Sequence, residues 1–158
     1  MIKFAQHSGI FTLTARQLVQ TDMDTAWSFF SNPMNLAKIT PEHMGFFITS
    51  ELADQMYEGQ IISYKINVFP RISTNWVTEI THIKEKKFFV DEQRYGPYSM
   101  WHHEHHFEGT EDGVLMTDKI SYKLPLGIFG KLLQPLFIKR QLNTIFDYRQ
   151  KKLDSIFN

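Results

Sequence analysis

The sequence predicts an α+β fold: a curved antiparallel sheet of about seven strands wrapped around a long C-terminal helix, with two short helices after the first strand. An early alternating segment precedes two short helical ones, a long central stretch keeps two-residue alternation between short turns, and helical spacing takes over from Ile128 onward. The chain has 158 residues, which suits one domain with its own core. No repeat, low-complexity tract or Pro/Gly/Ser linker divides it, so residues 1–158 are expected to form a single domain.

Phe11, Leu13 and Ala15 alternate with Thr12, Thr14 and Arg16 over 11–19, the pattern of a half-buried strand. Asp22 or Asp24 can cap the helix that follows, whose apolar stripe is Ala26, Trp27, Phe29 and Phe30. Asn32 and Pro33 start a second short helix, with Asn at the cap and Pro in the first turn, and Pro41 ends it. Strands are expected near 46–52, 59–69, 74–84, 87–95, 99–108 and 114–124. The connections at Pro70-Arg71, Lys84 to Lys87, Gly96-Pro97 and Asp112-Gly113 are short turn chemistry, which makes successive strands an antiparallel meander. Leu132, Leu133, Leu136 and Phe137, then Leu142, Ile145, Phe146, Leu153 and Ile156, give the final amphipathic helix, with Pro135 as a kink or restart. An antiparallel sheet with one apolar face needs cover, and this helix is long enough to supply it. A curved sheet covered by a single helix leaves a space beneath it, the expected site.

Composition narrows the function classes. With 42% apolar, 15% aromatic and 22% charged residues the chain reads as an ordinary globule rather than a disordered or coiled-coil one. Zero cysteines exclude disulfides, thiol nucleophiles and cysteine-ligated metal centres. Seventeen basic residues balance seventeen acidic ones, so no global field favours nucleic acid. Residues 1–118 carry net −6 and residues 119–158 net +6; the basic tail reads either as a contact for an anionic surface or as a solvated helix face attracted to its own acidic body. No apolar run approaches ~18 residues, and the first residues lack the basic-then-apolar pattern of a secretory signal, so a cytoplasmic protein without a transmembrane segment is expected.

Four of the seven histidines fall in Met100-Trp101-His102-His103-Glu104-His105-His106-Phe107. On a strand, Trp101, His103, His105 and Phe107 share one face, and the rings at either end direct that face inward. A two-residue Asp112-Gly113 loop would set His105 opposite Ile120, His103 opposite Tyr122 and Phe107 opposite Asp118, and any even loop puts Met116, Asp118, Ile120 and Tyr122 on the same face. The Gly96-Pro97 turn is less decisive: two or four loop residues turn Phe88, Val90 and Glu92 inward, and three turn Phe89, Asp91 and Gln93 inward.

The inward patch admits several chemistries. His103, His105 and Asp118 could converge on zinc, and His102, Glu104 and His106 offer an outward version, but neither set has a third ligand at a diagnostic spacing, and no metal is expected. A histidine oriented by a carboxylate behind aromatic walls suits general acid–base work. Arg149 falls in the apolar register of the last helix, where its guanidinium either meets a buried carboxylate or a ligand's acid group, or snorkels to the edge. No Gly-x-Ser-x-Gly elbow and no Gly-x-Gly-x-x-Gly or P-loop is present.

Across nearly the whole chain the sequence resembles the SRPBCC/START-like helix-grip superfamily, and within it the polyketide cyclase/dehydrase-like ligand-binding proteins. The matching pieces are Trp27-Ser28-Phe29-Phe30, Asn35-Leu36 with Ile39-Thr40-Pro41, Trp76 with Glu79-Ile80, Phe89-Val90-Asp91-Glu92-Gln93 and Gly96-Pro97-Tyr98. Trp101-x-His103-x-His105-x-Phe107, Asp118 with Tyr122 and Pro125, and Tyr148-Arg149 complete them. The resemblance implies a deep, mainly apolar cavity between sheet and last helix that holds a lipid, a polyketide or another hydrophobic small molecule. Trp101, His103, His105, Phe107, Asp118, Tyr122, Phe146 and Arg149 are then the expected ligand-binding residues, with no cofactor. The alternative is a cyclase, dehydratase or isomerase whose catalytic candidates are His103, His105 and Asp118. Fourteen Phe allow a third reading, an interior filled by the chain's own rings.

Overall fold

The computed structural model describes residues 2–69, 72–125 and 137–157. Its strands are β1 (Ile2–His7), β2 (Ile10–Val19), β3 (Phe47–Ile48), β4 (Ile61–Phe69), β5 (Ile72–Lys84), β6 (Phe88–Tyr95), β7 (Met100–Thr110) and β8 (Gly113–Lys123). They form one antiparallel sheet in the order β1-β2-β8-β7-β6-β5-β4-β3. Helix α1 (Met23–Phe30) and two short 3-10 helices, Pro33–Ile39 and Glu42–Met44, lie between β2 and β3; helix α2 (Lys139–Phe157) closes the chain. Among the described residues no helix is long and apolar enough to cross a membrane.

The expected α+β architecture is present, with eight strands rather than about seven. The additional strand is β1, which folds back on β2 through Ser8 and Gly9, both at positive φ (51° and 79°). Two left-handed central residues suit the twist of a tight hairpin, and glycine supplies one at no steric cost. The strand expected over 46–52 shrinks to Phe47–Ile48, and the second short helix ends before Pro41 as expected, followed by a further 3-10 turn at Glu42–Met44. Asp22 caps α1 by accepting from Thr25 N, and Asn32 accepts from Met34 N at the next helix. Pro70-Arg71 and the expected helix start through Ile128, Leu132, Leu133, Pro135 and Leu136 fall outside the described residues.

Two registers position the site. Strands β7 and β8 pair Trp101 with Tyr122, His103 with Ile120, His105 with Asp118 and Phe107 with Met116. This is two residues away from the register expected of an Asp112-Gly113 loop. Gly113 instead pairs with Thr110, so the loop is Glu111-Asp112. Both loops are even, so the inward faces are those expected. Strands β6 and β7 pair Phe89 with His105 and Asp91 with His103, which selects the odd-loop alternative at Gly96-Pro97 and turns Phe89 and Asp91 inward. Gln93 lies on the same face, paired with Thr78, and its side chain bonds both the N–H and the carbonyl of Tyr98 and braces the turn.

Among the described residues the buried side chains form two apolar clusters. One gathers Phe11, Leu13, Ile120 and Tyr122 beneath Leu142 and Phe146 of α2; the other gathers Val19, Phe89, Phe107, Val114 and Met116 around Ala26 of α1. Each fully buried aliphatic or aromatic side chain contributes about 1.5–3 kcal/mol. Along β8 the residue between Met116 of one cluster and Ile120 of the other is Asp118, so the polar patch sits at the seam.

Candidate functional site

A cavity of about 180 Å³ lies between the sheet and α2, with the short helices contributing to its wall. Leu36, Ile39 and Met44 come from those helices, and Tyr64, Trp76 and Tyr98 from the strands and turn opposite. Trp76 organises the aromatic side: it stacks on Tyr64 (5.9 Å, 17°) and meets Trp101 edge-on (5.2 Å, 88°). The indole Nε1 of Trp76 is buried without a partner.

At the seam two imidazoles lie between two carboxylates. His103 Nε2 is 2.9 Å from Asp118 Oδ1, and His103 Nδ1 is 3.4 Å from Asp91 Oδ2. His105 Nε2 is 2.9 Å from the same Asp91 oxygen; its Nδ1 is 3.0 Å from Asp118 Oδ1 but not aligned for a hydrogen bond. The two rings are 3.7 Å apart. Arg149 reaches in from α2, its Nη1 3.7 Å from Asp118 Oδ1 and its guanidinium over the Phe146 ring. Arg149 is 8% exposed, so its head does not snorkel; its Nε has no partner.

Burial and charge oppose one another here. Burial pushes Asp118 up, but its hydrogen bond with His103 and the close approach of His105 outweigh that and hold it far below the usual carboxylate range. Asp91 is likewise held down, burial being outweighed by His103, His105 and Arg149. His103 is lowered by burial and by the neighbouring His105. His105 is raised, because its contacts with Asp118 and Asp91 overcome burial. The Tyr64 phenol is pushed far up by burial and by Asp91, so it stays protonated.

Of the residues expected from sequence, Trp101, His103, His105, Phe146 and Arg149 line the cavity. Phe107, Asp118 and Tyr122 share the inward face but are not on the wall. Phe107 packs against Trp27 and Phe30. Asp118 contacts the two imidazoles and Arg149, and Tyr122 is fully buried against Phe11 and Tyr98. Asp91, Tyr64, Trp76 and Tyr98 were not among the expected site residues. The signal for Asp91 was the odd-loop alternative at Gly96-Pro97.

Comparison with family models and with curated proteins gives no match. Solved structures do match. A START superfamily protein from Mycobacterium smegmatis superposes with a TM-score of 0.69 at 14% identity, covering 92% of this chain and 96% of that one. The ginseng major latex-like protein 151 from Panax ginseng gives 0.69 at 12% identity, over 94% and 98%. A protein from Chromobacterium violaceum gives 0.70 at 12% identity, over 92% and 96%. This chain has the START-like helix-grip fold.

Within this helix-grip chain the cavity is apolar nearly throughout, and the seam cluster is its concentrated polar feature. His103, His105 and Asp91 present ring nitrogens and a carboxylate to the cavity, whereas Asp118 contacts the rings from off the wall. The arrangement can orient a polar group on an apolar guest, hold or pass a proton, or offer converging donors to a cation: one ligand atom from each of Asp91, His103 and His105 lies within 4.8 Å of the others.

Proposed function

We propose that this protein binds a hydrophobic small molecule in the cavity between sheet and α2, its polar group oriented by His103, His105 and Arg149. The observation that carries this reading is a partly open space with a mainly apolar wall, onto which a buried His/Asp/Arg cluster faces. The space, about 180 Å³, compares with the ~150 Å³ that accommodates benzene in an engineered apolar cavity. A guest of one or two rings, or a short branched chain, fits without rearrangement. Burying about 200 Å² of apolar guest contributes roughly 5 kcal/mol before ordering costs. The expected partner is thus a small apolar molecule from the cytoplasm rather than a nucleic acid, and the resemblance to lipid- and polyketide-binding proteins favours the same class.

Native mass spectrometry of freshly purified protein, followed by solvent extraction, tests the proposal. A co-purified apolar compound, displaced by excess of a ring compound such as naphthalene, is the expected result. A bare chain that takes up no apolar ring compound would overturn it.

A second reading, proton transfer on the bound molecule, is favoured by one observation: His103 is hydrogen-bonded to Asp118 while the same ring lines the cavity. His103→Gln that retains guest binding and loses turnover of an identified substrate is the result this reading expects.

A further inference from the structure

We propose that Asp91, His103 and His105 form a binding site for a divalent first-row transition-metal ion, with a remaining coordination position open to the cavity. The sequence offered no third ligand at a diagnostic spacing. The sheet supplies it, because the β6–β7 register sets Asp91 beside His103 and points both at the same space as His105. Asp91 Oδ2 lies 3.4 Å from His103 Nδ1 and 2.9 Å from His105 Nε2. An ion with bonds of about 2.0–2.1 Å in tetrahedral geometry spaces its ligands at roughly 3.3 Å. The two separations from Asp91 bracket that value, and all three ligand atoms lie within 4.8 Å of one another.

The outer groups fit the same role. A metal-bound imidazole is held in orientation by an acceptor at its other ring nitrogen. Here Asp118 Oδ1 is hydrogen-bonded to His103 Nε2 at 2.9 Å and lies 3.0 Å from His105 Nδ1, out of line for a second bond. Arg149, 3.7 Å from that oxygen, supports its negative charge. Asp91, His103, His105 and Asp118 all project from three adjacent paired strands, which gives the set the rigidity a metal site needs. Two nitrogens and one oxygen favour the zinc, iron, nickel and copper class over calcium or magnesium, which take oxygen ligands. All three ligating residues line the cavity, so a guest's oxygen could occupy the open position. The site does not depend on the cavity holding an organic guest.

The outer face of β7 carries a decoy. His102 Nδ1 lies 2.9 Å from Glu92 and His106 Nε2 lies 2.9 Å from Glu104, and these more exposed groups can take up metal on their own. The test is a cobalt(II) titration of untagged protein near pH ~8, above the ordinary imidazole value. One equivalent is expected to give visible ligand-field bands in wild type and in the His102→Gln/His106→Gln double variant. Asp91→Asn is expected to lose them, and Asp118→Asn to weaken binding about 10–100-fold. Since buried substitutions can unfold the chain, wild-type protein is also titrated with zinc and followed by proton–nitrogen correlation of the imidazoles. Shifts at the ring nitrogens of His103 and His105 support the site. Absence of cobalt bands in wild type, or zinc shifts confined to His102 and His106, overturns it. Binding that survives Asp91→Asn and disappears in the double variant does the same.

Discussion

His105 and Phe89 are cross-strand partners whose rings stack, with centroids 4.1 Å apart and planes 18° apart. His103 covers His105 from another direction at 3.7 Å. The imidazole is thus clamped by rings while its two nitrogens face carboxylates, and its orientation is fixed by packing as well as by charge. Phe89→Leu keeps much of the apolar volume and removes the stack. We expect it to cost about 1 kcal/mol beyond the loss of buried area, and to shift the His105 ring-proton resonances downfield as the Phe89 ring current disappears. Urea unfolding and proton NMR measure the two effects; unchanged His105 resonances would contradict the stacked geometry.

Asp118 is where the cluster depends on a single side chain, since both imidazoles and Arg149 approach its Oδ1. Removing one partner from a buried ionic group leaves the others uncompensated, at about 3–5 kcal/mol. Asp118→Ala is expected to lose stability in that range in urea unfolding. Asp118→Asn retains an acceptor and is expected to lose less. Equal, small losses for both would mean that the groups around Asp118 find other partners.

The same groups set the response to acid. Asp91 and Asp118 have folded values held below the ordinary ~3.9, so their contribution is present above that value and is lost as pH falls toward the folded values. His103 acts in the same direction: below ~6.5 the unfolded chain takes up a proton that the buried ring resists. His105, raised, opposes this, contributing below ~6.5 and losing its contribution as pH rises through its folded value. With both carboxylates and His103 on one side, stability is expected to decline from neutrality toward pH ~4 and more steeply below it. Urea midpoints measured across that range check the direction; stability that rises on acidification would reverse the balance.

Much of this site was legible from period alone, because the two-residue repeat of a strand assigns faces without the exact pairing. Trp101, His103, His105, Asp118 and Tyr122 therefore fall on the inward face even though the β7–β8 register is two residues from the expected one. Asp91 was not fixed in the same way. Its face depends on whether the turn at Gly96-Pro97 holds an odd or even number of residues, and glycine with proline fits both. The first strand escaped notice because its residues alternate weakly and are mostly exposed at the sheet edge. Trp76 shares the inward face with Thr78 and Ile80 by the same alternation, and Tyr64 is its cross-strand partner; period alone does not say which inward residues border the cavity.

The tryptophans offer a reporter for the cavity. Trp76 and Trp101 line it, whereas Trp27 packs off the wall against Phe89 and Phe107. If an apolar ring compound occupies the proposed site, emission should change on titration in Trp27→Phe. It should change less in Trp76→Phe/Trp101→Phe, whose remaining indole sits behind the Phe89 ring of the wall. The reverse pattern in fluorescence would place the guest elsewhere.

Gly113 decides between the two possible β7–β8 loops. It pairs with Thr110 at φ +136°, and a Cβ built there would lie 2.3 Å from the Val19 carbonyl oxygen of the neighbouring strand. Gly113→Ala must therefore push apart the end of the β2–β8 ladder as well as strain its own backbone. Strain of this kind costs on the order of 1–3 kcal/mol, and the backbone clash adds to it. Gly109, in the same hairpin, is the internal control: a Cβ there meets only Met23 Cε at 3.9 Å, and Gly109→Ala should be nearly neutral. Urea unfolding of the two variants is expected to differ by more than about 1 kcal/mol. Parity between them would remove the close approach to Val19 and return the loop to Asp112-Gly113, shifting His105 away from its position opposite Asp118.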